Sequence, residues 1–215
     1  MIPNILLRAG NKAVVDTTRV FSLFTANGSL NPTLTANVNN VAVAPNSARF
    51  LAGKFLTFAS NVKYIPAAND FAISAEFIIH SNVNGTLSAA GTSITTLLSW
   101  NPWLATGTLN NFEVVINNLN NTFVFNVDNF NNIVTASFPF TFAKNRKYAV
   151  KLERVGNTLS FYVDTVKIQE IPYTHTIQYR VDTPIRIGRR VGGTNNAYWD
   201  SDMTLSALTI DIFPS

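Results

Sequence analysis

Cysteine is absent from this chain of 215 residues, and charged residues make up only 13% of it. Without cysteine, no disulfide, thiol nucleophile or zinc–thiolate site can form. No apolar run approaches the roughly 18 residues of a membrane-spanning helix. The first residues also lack the basic start and apolar core of a secretion signal. The sequence therefore predicts a chain made in the cytoplasm, with no insertion into a membrane.

Positive charge is in slight excess but is not concentrated. Sixteen basic and twelve acidic residues give a net charge of +4. The tightest basic groups lie in 144–147 and 186–190. A nucleic-acid interface needs a basic patch or stripe on one face, so we expect no nucleic-acid partner.

Asparagine supplies much of the polar surface that charged residues would otherwise provide. It occurs 27 times, with runs in 117–121 and 129–132. Asparagine tolerates left-handed backbone and bonds to its own main chain, which favours turns. The composition therefore predicts many strands joined by asparagine-rich loops.

Apolar and polar residues alternate with a period of two in several stretches, which is typical of half-buried strands. The clearest stretches are 73–79, 112–117, 123–128 and 150–153. Gly156-Asn157 separates two alternating runs and indicates a hairpin between 148 and 166. Further strands are predicted over 185–188 and 205–213.

No segment has helical periodicity, and roughly a dozen short strands predict an all-β fold. The predicted architecture is a two-sheet antiparallel jelly-roll sandwich, which limits exposed edges. We expect one domain over residues 1–215. Residues 1–50 are assigned either to edge strands or to an attachment arm.

From about residue 56 onward, the order of short motifs resembles the concanavalin A-like lectin/glucanase superfamily, especially its laminin-G-type branch. The matching segments are 56–58 (LTF), 71–77 (FAISAEF), 147–154 (KYAVKLER), 159–165 (LSFYVDT), 184–188 (PIRIG) and 205–210 (LSALTI). Two residues depart from the pattern. Thr165 stands where a hairpin glycine is usual, and Asp202 stands near the position of the usual glycine before the last strand. The resemblance implies a concanavalin A-like sandwich. It does not select a function, since the superfamily includes lectins, adhesion modules, glycoside hydrolases and virion modules.

The acidic residues give little support for catalysis. A retaining glycosidase needs two carboxyl groups about 5–5.5 Å apart. The four glutamates are Glu76, Glu113, Glu153 and Glu170, and none has a second carboxylate two or four positions later. We interpret each as an outward-facing, solubilising side chain. We therefore expect that this protein is not an enzyme.

One acidic pair and several aromatic residues are the candidate sites. Asp200 and Asp202 would share a face if extended and suit Ca²⁺, a hard cation that takes oxygen ligands; the alternative is that they cap a loop. The candidate ligand-binding residues, all assigned to loops, are Asn195, Asn196, Tyr198, Trp199, Asp200, Trp100 and Trp103. Amides, carboxylates and aromatic rings together are typical of carbohydrate sites. The alternative is that the tryptophans cap the core or pack against a neighbouring subunit.

The function predicted from these observations is a non-catalytic virion protein, either a capsid decoration or a tail-fibre module. Its expected partners are other virion proteins or copies of itself, for example in a trimer, and a glycan on the host surface. We expect it in the virion, after synthesis in the host cytoplasm. The alternatives are a stand-alone, cytoplasmic carbohydrate-binding lectin and a glycoside hydrolase or lyase. No cofactor other than Ca²⁺ is expected.

Overall fold

The computed structural model describes residues 18–32, 37–39, 41–51, 54–80, 94–100, 112–118, 120–129, 132–178, 184–189 and 202–213. The strands in these residues are β1 (Thr18–Ser22), β2 (Asn37–Asn39), β3 (Ala42–Ala44), β4 (Ser47–Phe50), β5 (Phe55–Phe58), β6 (Asp70–Ile79), β7 (Ile94–Trp100), β8 (Phe112–Asn117), β9 (Thr122–Asn129), β10 (Asn132–Pro139), β11 (Lys147–Val155), β12 (Thr158–Val163), β13 (Val166–Pro172), β14 (Ile185–Ile187) and β15 (Met203–Phe213). A 3₁₀ turn covers Val62–Tyr64. No helix in the described ranges is long and apolar enough to cross a membrane.

The strands form two antiparallel sheets. The eight-stranded sheet has the order β13-β12-β11-β6-β15-β4-β3, and β1 also pairs with β15. The seven-stranded sheet has the order β10-β9-β8-β7-β14-β5-β2. Strand β15 is long enough to pair with β4 through 203–205 and with β1 through 209–212. The strands between residues 18 and 50 are therefore paired to the two sheets.

Aromatic side chains fill the space between the sheets. Phe123 of β9 stacks on Phe161 of β12 with ring centroids 4.4 Å apart, so this pair joins the two sheets. Phe71 of β6 meets Phe125 of β9 at 5.9 Å. All four rings are buried. Such rings contribute large apolar areas and prefer these offset or tilted contacts.

The structure confirms the all-β, two-sheet antiparallel sandwich. The alternating stretches become β6, β8, β9 and β11, and the hairpin turns at Gly156 and Asn157 between β11 and β12. Strand β7 was missed because Thr95-Thr96 and Leu97-Leu98 follow one another as like pairs, so polarity does not alternate along it. The register shifts between Thr96 and Leu98, and such a bulge breaks the period of two on which the strand predictions rested.

Candidate functional site

A row of side chains crosses the outer face of the eight-stranded sheet. Its members stand directly opposite one another on β15, β6, β11, β12 and β13, namely Thr209, Ser74, Lys151, Tyr162 and Lys167. Successive residues of a strand point to opposite faces. Because Ile73, Leu152 and Phe161, which adjoin three of these residues, are buried in the core, the row faces away from it.

Small side chains make a groove in this face. A cavity of about 360 Å³ lies above the small side chains of Ser74, Ala149 and Ala207. The larger side chains of Glu76, Lys151 and Tyr162 border it. Its full lining is Ser74, Ala75, Glu76, Ala149, Val150, Lys151, Tyr162, Thr165, Ala207 and Thr209. We call this cavity the outer groove.

Tyr162 is the aromatic side chain of the outer groove, and several contacts orient it. The Lys151 ammonium lies 4.3 Å from the ring centroid and that of Lys167 lies 5.8 Å from it. The Tyr162 hydroxyl donates to Glu153 Oε2 at 3.3 Å. Lys151 Nζ lies 3.3 Å from Glu153 Oε1. Glu153 therefore links the hydroxyl and the ammonium beside the ring, which limits the freedom of both.

Two further ion pairs lie near the outer groove. Lys147 Nζ is 2.6 Å from Glu76 Oε2, and both side chains are about half exposed. Lys167 Nζ is 2.7 Å from Glu170 Oε2. The hydrogen bond to Glu170, followed by the electrostatic effect of Tyr162, raises the pKa of Lys167. Exposed ion pairs of this kind contribute little to stability. These charged groups can therefore leave their partners at little cost and form hydrogen bonds with ligand hydroxyls.

The expectation that all four glutamates are outward-facing solubilising residues was wrong for two of them. Glu153 is 8% exposed and Glu113 is fully buried. The Asn126 amide donates to Glu113 Oε1 at 2.8 Å, and Asn126 Oδ1 accepts from the Thr135 hydroxyl at 2.8 Å. A buried carboxylate needs such hydrogen bonds. The alternation of polar and apolar residues predicted which face of the sheet these glutamates occupy. It could not show whether that face is exposed to solvent or buried.

The geometry of the outer groove suits binding rather than hydrolysis. Glu76 pairs across the sheet with Ala149, whereas Glu153 pairs with Ala72. Their positions therefore differ by four residues along the strands, or roughly 13 Å. Glycosidase carboxyl pairs are about 5–9.5 Å apart. These two carboxylates do not form such a pair. The ring, hydroxyls and ammoniums instead match a ligand with an apolar face and several hydroxyl groups.

Trp100 does not lie in a loop as predicted. It ends β7 and is fully buried, with its ring 6.0 Å from that of Tyr64 and 5.9 Å from that of Phe112. It packs in the core, which was the alternative interpretation of this tryptophan. The other candidate ligand-binding residues lie outside the described residues: Trp103, Asn195, Asn196, Tyr198, Trp199 and Asp200.

Asp202 forms a salt bridge with Arg49. Its carboxylate accepts two hydrogen bonds from Arg49, at 2.8 and 2.7 Å. Its backbone carbonyl accepts from the His80 amide at 2.7 Å. Within the described part of the chain, no group of three or more His, Asp or Glu residues is placed to hold a metal ion. The calcium site proposed for Asp200 and Asp202 stays a prediction, because Asp200 is not among the described residues.

Comparison with known proteins identifies similar folds but no family. No family model matches the sequence, and no curated protein matches it. Solved structures do match. The botulinum neurotoxin serotype D binding domain has a TM-score of 0.64 at 12% identity, over 89% of this chain and 47% of that one. The binding domain of Paraclostridial mosquitocidal protein 1 has a TM-score of 0.64 at 14% identity, over 89% and 48%.

A third match is a structure reported under the finding that cell entry of botulinum neurotoxin type C depends on interaction with two ganglioside molecules. Its TM-score is 0.62 at 15% identity, over 89% of this chain and 47% of that one. The chain thus spans about half the length of the structures it matches. Identities this low show a shared fold, here a β-sandwich found in binding domains. The concanavalin A-like, laminin-G-type assignment stays a prediction.

Proposed function

We propose that this chain is a non-catalytic binding module that holds a saccharide in the outer groove. The observation that carries the proposal is Tyr162, an oriented aromatic ring beside a floor of small side chains. Aromatic rings pack against the C–H faces of sugars, while nearby polar groups fix the hydroxyls. Ser74 and Thr209 lie in the same cross-strand row and supply such groups.

The similar structures give the proposal general support. Two of them are described as binding domains, and the third concerns interaction with gangliosides, which carry glycans. A non-catalytic binding role also fits the outer groove, because Glu76 and Glu153 are not spaced like the carboxyl pair of a glycosidase. The identity of the glycan is open to the experiment below.

The setting that we propose is a virus particle, with the chain as a capsid decoration or a tail-fibre module. Its support is compositional: no cysteine, 13% charged residues and abundant asparagine. A virion protein should co-purify with particles and sediment as a homo-oligomer, for example a trimer. A monomer in solution that is absent from particles would favour the stand-alone lectin.

The binding experiment starts with a glycan array and continues with calorimetry on the tightest saccharide. Replacing Tyr162 by Ala should weaken binding at least about tenfold, because the loss of one well-placed aromatic contact is of order 1.4 kcal/mol. Tyr162→Phe should weaken it less, since it removes only the hydroxyl that bonds to Glu153.

Lys63→Ala is the matched control for Lys151→Ala. Lys63 lies over the Tyr64 ring at 5.3 Å, much as Lys151 lies over Tyr162, but it does not line the outer groove. Lys151→Ala should weaken binding and Lys63→Ala should not. Unchanged affinity in Tyr162→Ala would refute the groove as the site, and release of reducing sugar would refute the non-catalytic role.

A further inference from the structure

A second polar row crosses the outer face of the seven-stranded sheet, on the opposite side of the molecule from the outer groove. Arg186 of β14 stands directly opposite Thr57 of β5 and Ser99 of β7. Its neighbours Ile185 and Ile187 are fully buried in the core. The Arg186 side chain therefore points away from the core, between the half-buried Thr57 and the fully buried Ser99.

Two guanidinium groups meet at one aromatic ring in this row. The Arg186 guanidinium carbon lies 4.7 Å from the centroid of Phe55, and that of Arg189 lies 5.5 Å from the same centroid. Guanidinium groups stack well on aromatic faces. The shared ring holds the two positive charges near each other, although like charges repel.

The described residues provide no ion pair for Arg186. Its Nε atom is buried and has no hydrogen-bond partner among them. The buried Glu113 lies two strands away in the same cross-strand row, where it accepts a hydrogen bond from Asn126. Arg19, Arg49 and Arg146 each pair with an aspartate, but no such pair involves Arg186 among the described residues. Burial, with a smaller effect from Arg189, lowers the pKa of Arg186. A half-buried cation without an ion pair in the described ranges can gain stability from an anionic ligand, because an uncompensated buried charge is costly.

The backbone between the two arginines is fixed. Gly188 has a φ of 88°, and a Cβ atom there would collide with the Phe50 ring. The Gly188 amide donates to Thr96 O at 3.2 Å. The chain therefore turns tightly at Gly188 and presents Arg189 beside Arg186 without further rearrangement. Such pre-organisation reduces the entropy lost when a ligand binds.

We propose that Arg186 and Arg189, stacked on Phe55 between the strands of Thr57 and Ser99, bind an oxyanion: a sulfate, phosphate or carboxylate group of an acidic ligand. Guanidinium groups match such anions through paired N–H donors. Thr57, which is half-buried, stands opposite Arg186 and adds a hydroxyl beside the pair. The site is separate from the outer groove, so either one can fail its test without affecting the other.

Thermal unfolding with sodium sulfate tests the oxyanion site. Sulfate also stabilises folded proteins in general, because it is excluded from their surface. The site-specific effect is therefore the difference in Tm rise between the wild type and the double variant Arg186→Gln/Arg189→Gln. At several times its Kd, sulfate should raise the Tm of the wild type by about 3 °C more than that of the double variant. Arg146→Gln, which removes an arginine that pairs with Asp164 elsewhere, should show the same rise as the wild type. Equal rises in the wild type and the double variant overturn the proposal.

Binding measurements then identify the carrier of the anion. The probes are 3′-sialyllactose for a carboxylate on a sugar and phosphatidylcholine vesicles containing phosphatidylserine for a lipid headgroup. Binding to either probe that weakens at least tenfold in the double variant supports the site and names the carrier. Binding to neither, or equal binding by the double variant, counts against it.

The stability of an Arg186 variant tests whether this arginine is unfavourable to the fold when no anion is bound. Without added anion, Arg186→Met should unfold at a higher urea concentration than the wild type, because it removes a half-buried cation that forms no ion pair with the described residues. A lower unfolding midpoint for Arg186→Met would mean that the arginine stabilises the fold, and would overturn the argument from its missing counter-charge.

Discussion

At the scale of single residues, burial separates the aromatic side chains that hold the sandwich together from the one that faces the outer groove. Trp100 contacts both Tyr64 and Phe112 in the core. Tyr162 is partly exposed and lines the outer groove. The sequence alone could not make this distinction for Trp100, because asparagine and proline follow it directly and favoured a loop.

Replacing Trp100 by Ala should therefore lower the free energy of unfolding by about 3–5 kcal/mol, since the change leaves a large cavity in the core. Urea denaturation measures this loss. Tyr162→Ala, on the surface, should change stability by less than about 1 kcal/mol. A Trp100→Ala variant of nearly wild-type stability that fails to bind saccharide would contradict the assignment of Trp100 to the core.

Tyr173 should make the protein sensitive to alkali. Burial raises the pKa of Tyr173 above its ordinary value, and burial also raises that of Tyr64. A raised pKa in the folded state gives stability that is present below the unfolded pKa of about 10 and lost as pH rises further. Urea denaturation between pH 9 and 11, as trial conditions spanning roughly that pKa, should show falling stability, with a smaller fall in Tyr173→Phe.

At neutral pH the same variant tests the Tyr173 hydroxyl. This oxygen is buried and has no hydrogen-bond partner within the part of the chain that the structure describes. Removing an unsatisfied polar group is nearly neutral or stabilising. Tyr173→Phe should therefore be at least as stable as the wild type at pH 7. A loss of more than about 1 kcal/mol would mean that the hydroxyl makes a stabilising bond.

At the scale of elements, turn chemistry was the most informative part of the sequence. Gly156-Asn157 predicted the β11–β12 hairpin, and the structure places both residues in that turn with Gly156 at a φ of 58°. The pairing of distant segments, such as β15 with β1 and β4, could not be predicted. Register between strands far apart in sequence depends on three-dimensional packing, which local patterns do not contain.

Two glycines should respond differently to the same substitution. Gly156→Ala meets no neighbouring atom and is opposed only by the positive φ, so it should destabilise by about 1 kcal/mol. Gly188→Ala has the same backbone problem and also collides with Phe50. Its loss of stability should exceed that of Gly156→Ala by at least about 1–3 kcal/mol. Equal losses would contradict the close packing of Gly188 on Phe50.

At the next turn along the chain, we expect a substitution to glycine to stabilise the fold. Asp164 and Thr165 connect β12 to β13 with φ values of 48° and 71°. Thr165 is β-branched and is strained at a positive φ. Thr165→Gly should raise the free energy of unfolding by about 0.5–1 kcal/mol. Thr158→Gly, within β12, should lower it, and a Thr165→Gly variant that is also less stable would argue against strain at this turn.

At the scale of the whole molecule, the fold was predictable and the site was not. Alternation and turn residues indicated a two-sheet sandwich, because both signals are local. The outer groove depends on which residues stand opposite each other across β15, β6, β11 and β12, and its lining comes from these four strands and the turn after β12. Ser74, Lys151 and Tyr162 each look like ordinary surface positions until the strands are aligned.

Amide chemical-shift mapping during titration with an array-selected oligosaccharide tests the central claim most directly. If the outer groove binds the saccharide, the largest shifts should fall on Ser74, Lys151, Tyr162 and Thr209, and Tyr162→Ala should raise the saccharide concentration needed for them at least about tenfold. Shifts concentrated on residues 195–202, with none in this cross-strand row, would contradict the groove and favour the aromatic segment that the sequence first suggested.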